Sequence, residues 1–180
     1  MSRTRLAAAA GTVPPVQAQE PAPGLARWLP LTATGIAVLG IADGVYLTVA
    51  HFTTAAILAC SGTGFVNCAK VTTSAQSEIV GIPVAVLGLA YFVAMTVLNL
   101  PQCWRAEGDL GAWLARLRLA GAVAGIGFVV YLVYTELLVI GSICIFCTII
   151  HVLAFVLFVL VVVGSTQRGL GRAARPCGDA

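Results

Sequence analysis

Four long apolar stretches are the feature that most limits how this chain can fold. A helix needs about 20 predominantly apolar residues to cross roughly 30 Å of hydrocarbon. Stretches of this kind cover residues 29–50, 81–100, 119–140 and 145–164. Only 9% of the 180 residues are charged, whereas soluble domains carry about 25%. The sequence therefore predicts an all-α integral membrane protein built as a bundle of four transmembrane helices.

Polar or irregular sequence surrounds and separates these stretches. Residues 1–27 are rich in Ala, Pro and Gln and are predicted to form a disordered cytoplasmic segment. We expect the four-helix membrane domain to cover residues 28–164 and a cytoplasmic tail to cover residues 165–180. The loop of residues 51–80 is longer than most loops between helices, and such loops are often functional. Its segment 53–60 predicts a short helix at the membrane interface.

The basic residues are distributed unevenly around the four stretches. Nine of the ten lysines and arginines precede the first stretch, separate the second from the third, or follow the fourth. The exception is Lys70, in the loop between the first and second. Because basic residues are enriched on the cytoplasmic side, both termini are expected there, with the loop of Lys70 and the link 141–144 outside. The sequence has no basic patch interleaved with aromatic residues of the kind that binds nucleic acid. We therefore expect the protein to contact membrane lipid and no nucleic acid.

This orientation places two pairs of cysteines on the outer face, where disulfides are permitted. Cys60 and Cys68 lie in the long loop, and Cys144 and Cys147 form a C-x-x-C motif where the fourth stretch begins. Such a motif can cycle between dithiol and disulfide. A second pair on the same face provides a partner for thiol–disulfide exchange. The pattern predicts a disulfide relay, whereas Cys103, on the cytoplasmic side, is expected to be incidental.

The spacing of these cysteines and several neighbouring motifs resemble the vitamin K epoxide reductase family, particularly its bacterial members. The resemblance runs from about residue 36 to residue 163. The matching features are Asp43-Gly44-Val45-Tyr46-Leu47, Cys60-x7-Cys68, Val71, Ser74, Gly81-Ile82-Pro83, Tyr131-Leu132-x-Tyr134-x-Glu136 and Cys144-x-x-Cys147.

The resemblance implies a four-helix bundle around a quinone of the menaquinone or ubiquinone type, in the bacterial cytoplasmic membrane. It also implies a relay order. Cys147 reduces the quinone, Cys144 is its partner, Cys68 exchanges with Cys144, and Cys60 meets the protein substrate. The expected activity is oxidation of thiols by a quinone, which forms disulfides outside the cytoplasm. Because we recognise no thioredoxin-like domain in the chain, we expect a separate thioredoxin-fold thiol oxidase as the partner.

Five further residues are predicted to belong to the site. Ser74 matches a family hydroxyl that steadies the reduced thiol or thiolate, with a turn or cap role as the alternative. His151 follows Cys147 by one helical turn, at a place where a family member carries a tyrosine. It is expected to bond a quinone carbonyl or deliver a proton, or else to be a packed core histidine. Glu136 either feeds protons to the quinone or holds the bundle together. Tyr131 and Tyr134 are expected to be pocket walls or interface anchors.

Other interpretations of the cysteines stay open. The same residues could reduce a vitamin K epoxide or recycle a quinone. In a non-catalytic protein, Cys60 and Cys68 could form a static structural disulfide. The C-x-x-C cysteines could be palmitoylation sites or merely small apolar residues. Four thiolates could also hold zinc, but the wide spacing of the loop pair disfavours this, and we expect no metal site.

Overall fold

Helices make up most of the structure. The computed structural model describes residues 25–53, 60 and 64–173. Its helices are α1 (Leu25–Phe52), α2 (Cys68–Thr72), α3 (Val84–Asn99), α4 (Pro101–Arg105), α5 (Gly108–Tyr134) and α6 (Ile145–Ala173). A 3₁₀ turn (Ala75–Ser77) and a hairpin of β1 (Glu78–Ile79) and β2 (Ile82–Pro83) precede α3. A π-helical segment (Thr135–Ile140) continues α5.

Three of the described helical segments are long and apolar enough to cross a membrane, namely Trp28–Phe52, Gly108–Ile140 and Ile145–Gln167. The described residues thus have the make-up of an all-α membrane protein, as the sequence predicts. Helix α3 is apolar but has only 16 residues. At 1.5 Å per residue it is about 24 Å long, somewhat short of a full span. A fourth transmembrane helix therefore stays a prediction.

Helix α3 begins at Val84, later than the predicted start at residue 81. Val80 (φ 52°) and Gly81 (φ 76°) have left-handed backbone conformations and turn the chain between β1 and β2. Tight hairpins favour positive φ at both central residues because this matches the twist of the strands. Pro83 is the N-cap of α3. The Gly-Ile-Pro motif therefore completes the hairpin instead of forming the first helical turn.

The other helix bounds also differ from the predicted stretches. Helix α1 begins at Leu25, inside the segment predicted to be disordered, and residues 1–24 lie outside the described residues. Helix α5 begins at Gly108 and α6 continues to Ala173, into the predicted tail. Residues 54–59 of the predicted interfacial helix also lie outside the described residues. Hydropathy marks the part of a helix that suits hydrocarbon, and it does not mark where the helix ends.

The bundle core is built on close contacts between helices. Helix α1 packs against both α3 and α6, and α5 packs against α6 and α3. Ala33 and Ala37 on α1 belong to one buried cluster with Phe92 and Met95 on α3. The Phe92 ring occupies the space that a Cβ on Gly40 would need. Small residues on one helix and large ones on its neighbour allow the close approach that stabilises helix pairs in lipid.

A buried cation joins α3, α4 and α5 at one end of the bundle, here called the α4 end. Arg118 is 1% exposed. Its Nε donates a hydrogen bond to the Leu98 carbonyl oxygen at 3.0 Å, and its Nη2 donates to the Cys103 carbonyl oxygen at 3.3 Å. The guanidinium lies 4.0 Å from the centre of the Trp104 ring. That ring packs over the bare Cα of Gly164 on α6, so the α4 end also involves α6.

Candidate active site

The four cysteines predicted to form a relay come together at the other end of the bundle, here called the cysteine end. Cys60 and Cys68 are joined by a disulfide, with their Cα atoms 6.1 Å apart. Cys144 and Cys147 are free thiols. All four belong to one apolar cluster, in which Cys68 and Cys144 are fully buried and the other two are partly exposed. Two dithiol units thus lie together, one oxidised and one reduced.

A short parallel bridge holds the loop against the C-x-x-C turn. Ile143 donates its N–H to the carbonyl oxygen of Phe65 at 2.9 Å, and Asn67 donates its N–H to the carbonyl oxygen of Ile143 at 3.0 Å. Cys68 directly follows Asn67, and Cys144 directly follows Ile143. Backbone hydrogen bonds therefore fix the two buried cysteines near each other.

The side chain of Lys70 also holds this loop against the turn that precedes the C-x-x-C motif. Its Nζ donates hydrogen bonds to the carbonyl oxygen of Ile140 at 2.7 Å and to the Ser142 hydroxyl at 3.2 Å. Its backbone N–H donates a hydrogen bond to Oδ1 of Asn67, the N-cap of α2, at 2.9 Å. The last carbonyls of a helix carry partial negative charge and favour a nearby cation. The lysine thus connects α2 to the end of the π-helical segment.

The π-helical segment ends in a turn that directs the chain toward the reduced thiols. Gly141 is left-handed, with a φ of 64°, and its N–H and that of Ser142 both donate to the carbonyl oxygen of Glu136. The Glu136 side chain is 6% exposed. Its carboxyl group lies within hydrogen-bonding reach of the Cys147 thiol and of the Cys144 backbone N–H. Glu136 is therefore tied to both halves of the motif.

Cys144 is positioned as the residue that caps α6. Its Sγ accepts the backbone N–H of Cys147 at 3.4 Å, and its carbonyl oxygen accepts the backbone N–H of Thr148 at 2.9 Å. A hydrogen bond from the Cys147 side chain lowers the pKa of the Cys144 thiol, and burial opposes this effect. A thiolate is both the nucleophile and the better leaving group in disulfide exchange. Cys144 is thus suited to exchange with the neighbouring loop disulfide.

An apolar cavity of about 450 Å³ opens beside the reduced thiols. Ligand sites for small molecules have volumes of about 300–1,000 Å³. Among the predicted site residues, Cys147, Glu136, His151 and Ser74 line this cavity, and Cys144 does not. The Ser74 hydroxyl donates to the Val71 carbonyl oxygen at 2.8 Å, which is the turn role that the sequence left open. Its predicted effect on a thiol stays a prediction.

Tyr131 and Tyr134 are not brought into the cavity. Their side chains are 44% and 55% exposed, and the wall formed by their helix consists of other residues, including Phe128, Leu132 and Thr135. Successive helical residues are rotated by about 100°, so one position along the chain moves a side chain to another face. The structure thus favours the interface-anchor alternative for these two tyrosines over their predicted place in the pocket.

Several cavity residues were missed by the sequence reasoning. Tyr91 on α3 and Phe128 on α5 line the cavity, as does His51 at the end of α1. His51 Nε2 lies 3.6 Å from Glu78 Oε1. A hydroxyl within the apolar stretch of α3 was a signal for Tyr91. No comparable signal distinguishes Phe128 from the other apolar residues of α5.

A bundle of long apolar helices, with two dithiol units at one end and an apolar cavity beside one of them, defines a class of membrane redox proteins. The model of the vitamin K epoxide reductase family matches residues 31–162. The chain therefore belongs to the vitamin K epoxide reductase family, and the predicted resemblance is confirmed. No curated protein matches the chain. Family members are membrane oxidoreductases that act on disulfides and generally use quinones.

Proposed function

We propose that this protein is a quinone-dependent thiol oxidase of the bacterial cytoplasmic membrane, which forms disulfides outside the cytoplasm. The observation that carries the proposal is that the two cysteines of the C-x-x-C motif have different surroundings. Cys147 lines the apolar cavity, whereas Cys144 does not line it and is buried in one cluster with the docked loop disulfide. Electrons that reach Cys144 from the loop thus have a route through its hydrogen-bonded partner to a ligand in the cavity.

Accessibility supports the order of the relay. Cys60 is partly exposed, whereas Cys68 has no exposed surface. A partner protein can therefore reach Cys60 but not Cys68. We infer that a reduced thioredoxin-fold partner attacks Cys60 through its thiolate and releases Cys68 as a thiolate. The partner's second thiol then displaces Cys60, so the partner leaves as a disulfide and the loop pair is left as two thiols.

The second exchange involves the C-x-x-C pair in its disulfide form. The Cys68 thiolate attacks Cys144 and releases Cys147, and Cys60 then displaces Cys144 from the mixed disulfide. The lowered pKa of Cys144 makes it a good leaving group in that last displacement. The bound quinone, of the menaquinone or ubiquinone type, supplies the acceptor for two electrons and two protons. Cys144 and Cys147 give up two electrons and two protons when their disulfide forms again, so the cycle balances.

The proposed topology has the cysteine end outside and the α4 end in the cytoplasm, with α3 as a fourth transmembrane helix. The concentration of nine of the ten basic residues around the α4 end and the termini supports this orientation. A separate thioredoxin-fold oxidase is the proposed partner, since the relay needs a dithiol donor that reaches only the outermost cysteine.

The test is quinone reduction by purified protein in detergent, driven by a reduced thioredoxin-fold oxidase. Alanine replacements of Cys60, Cys68, Cys144 and Cys147 are each expected to reduce the rate to background. Cys103→Ala is the matched control, because this free thiol lies at the α4 end and is expected to leave the rate unchanged. A small dithiol should still drive Cys60→Ala, which would place Cys60 outermost.

Two outcomes would contradict the proposal. If the wild-type protein reduces no quinone and its thiol content stays constant, the catalytic assignment fails, and zinc content becomes the decisive measurement for a metal-binding role. If vitamin K epoxide is turned over and quinones are not, the protein is an epoxide reductase that uses the same cysteines.

A further inference from the structure

The polar groups on the cavity wall differ in whether they already have hydrogen-bond partners. The Thr135 hydroxyl donates to the Leu132 carbonyl oxygen at 2.8 Å, and the Ser77 hydroxyl donates to the Ser74 carbonyl oxygen at 2.7 Å. Glu136 is engaged by the cysteine motif. Within the described part of the chain, however, the buried Tyr91 hydroxyl and His151 Nε2 have no hydrogen-bond partner. Both residues line the cavity.

The position of Tyr91 depends on a glycine across the cavity. A Cβ on Gly125 of α5 would overlap the hydroxyl oxygen of Tyr91, which therefore packs directly over the bare backbone. The tyrosine ring also meets Phe92 edge-on, with 5.1 Å between the ring centres. Buried tyrosine hydroxyls usually have a hydrogen-bond partner. This one is held in place by packing alone, which is the arrangement expected of a group that binds a ligand.

The second unpartnered group stands on a different wall. His151 on α6 is 7% exposed and lies one helical turn beyond Cys147, on the same face. Tyr91 comes from α3. A ligand beside the Cys147 thiol would therefore meet one polar atom from α6 and another from α3, with an apolar surface between them. A 1,4-quinone has two carbonyl oxygens on opposite sides of a flat apolar ring, and so offers one acceptor to each of these two groups.

We propose that Tyr91 is a specificity-determining residue whose hydroxyl donates a hydrogen bond to one carbonyl oxygen of the quinone. The second carbonyl oxygen accepts a hydrogen bond from His151. This inference rests on the proposed function and deepens it, because it assigns the second polar contact to a residue outside the cysteine motif and its helix. It makes the site selective for rings with two opposed carbonyl groups over apolar ligands with one.

Steady-state kinetics provide the first test. Tyr91→Phe keeps the ring and removes the hydroxyl. We expect it to raise KM for 2,3-dimethyl-1,4-naphthoquinone about tenfold, as for one lost buried hydrogen bond. The matched control is Thr96→Val, which removes a hydroxyl that donates to the Phe92 carbonyl oxygen on the same helix. This variant should keep the KM of the wild-type protein.

A binding experiment separates the hydrogen bond from packing. It uses protein carrying Cys144→Ser and Cys147→Ser, which cannot transfer electrons, and compares the dimethylnaphthoquinone with 2-methyl-1-tetralone, which has one carbonyl group. With Tyr91 present, the dicarbonyl ligand should bind about tenfold more tightly. In Tyr91→Phe that advantage should disappear, while the tetralone keeps its affinity.

The inference is overturned if Tyr91→Phe leaves both KM and the preference between the two ligands unchanged. It is also overturned if both ligands lose affinity equally, since that result would indicate a packing role. A protein that binds quinone with this preference but never reduces it would refute the proposed thiol oxidase and retain Tyr91 as a ligand-binding residue. The two failures are therefore distinguishable.

Discussion

Replacing Lys70 with Met should loosen the docking of the loop on the C-x-x-C turn. The change removes the hydrogen bonds from Nζ to the Ile140 carbonyl oxygen and the Ser142 hydroxyl and preserves most of the side-chain volume. Hydrogen bonds from charged donors contribute about 1.5–3 kcal/mol when shielded from water, whereas exposed ionic contacts contribute about 0–1 kcal/mol. Lys70 is exposed, so we take about 1 kcal/mol for the two bonds together. The population of the undocked loop should then rise about fivefold.

Amide hydrogen exchange measures this opening directly. The N–H groups of Asn67 and Ile143 close the bridge, so their exchange should accelerate about fivefold in Lys70→Met if exchange follows the local opening equilibrium. Lys70→Arg keeps a cation with several donors and should exchange nearly as slowly as the wild-type protein. Arg105→Met, a loss of charge at the α4 end, should leave these amides unaffected. Unchanged exchange in Lys70→Met, or equal acceleration at the α4 end, would refute the reasoning.

Two further predictions concern packing and thiol acidity. Gly164→Ala places a methyl group against the Trp104 ring and should lower the free energy of unfolding by about 1–3 kcal/mol, measured by thermal unfolding. Gly127→Ala, where a Cβ meets nothing within 4 Å, should be neutral or stabilising, and equal losses at both sites would contradict the packing argument. Cys147→Ala removes the side-chain hydrogen bond that is the main cause of the lowered pKa of Cys144. The measurement uses protein whose loop cysteines are replaced by serines. In this background the pKa of Cys144 should rise, and the pH profile for its alkylation should shift to higher pH. A shift to lower pH would contradict this cause.

The helical class and the approximate location of the long helices could be predicted because they depend on local composition. A continuous apolar stretch must place its backbone hydrogen bonds within itself when it enters lipid, and a helix does so whatever its neighbours are. The same reasoning failed at the ends of the stretches. Val80 and Gly81 turn the chain before α3, and α6 continues to Ala173, because turns and polar helical extensions do not depend on apolar length.

The site could be predicted only in part for a related reason. The uneven distribution of the basic residues along the chain was enough to assign both cysteine pairs to one face. The structure brings all four of these cysteines into one cluster. Tyr131 and Tyr134 share a motif with Glu136, yet only Glu136 lines the cavity. The rotation of a helix about its own axis is set by its neighbours, and residues 119–134 of α5 include no charged side chain that would reveal it.

The sequence by itself determined that this chain forms long apolar helices, that it carries two dithiol units, and that it belongs to one family of membrane oxidoreductases. Only the tertiary structure decided which cysteine lies at the cavity, that Lys70 and the backbone of Ile143 hold the loop in place, and that Tyr91 reaches across to Gly125. The physical reason is the range of the interactions. Partition into lipid is a property of a segment, whereas contacts between segments depend on how distant parts of the chain pack together.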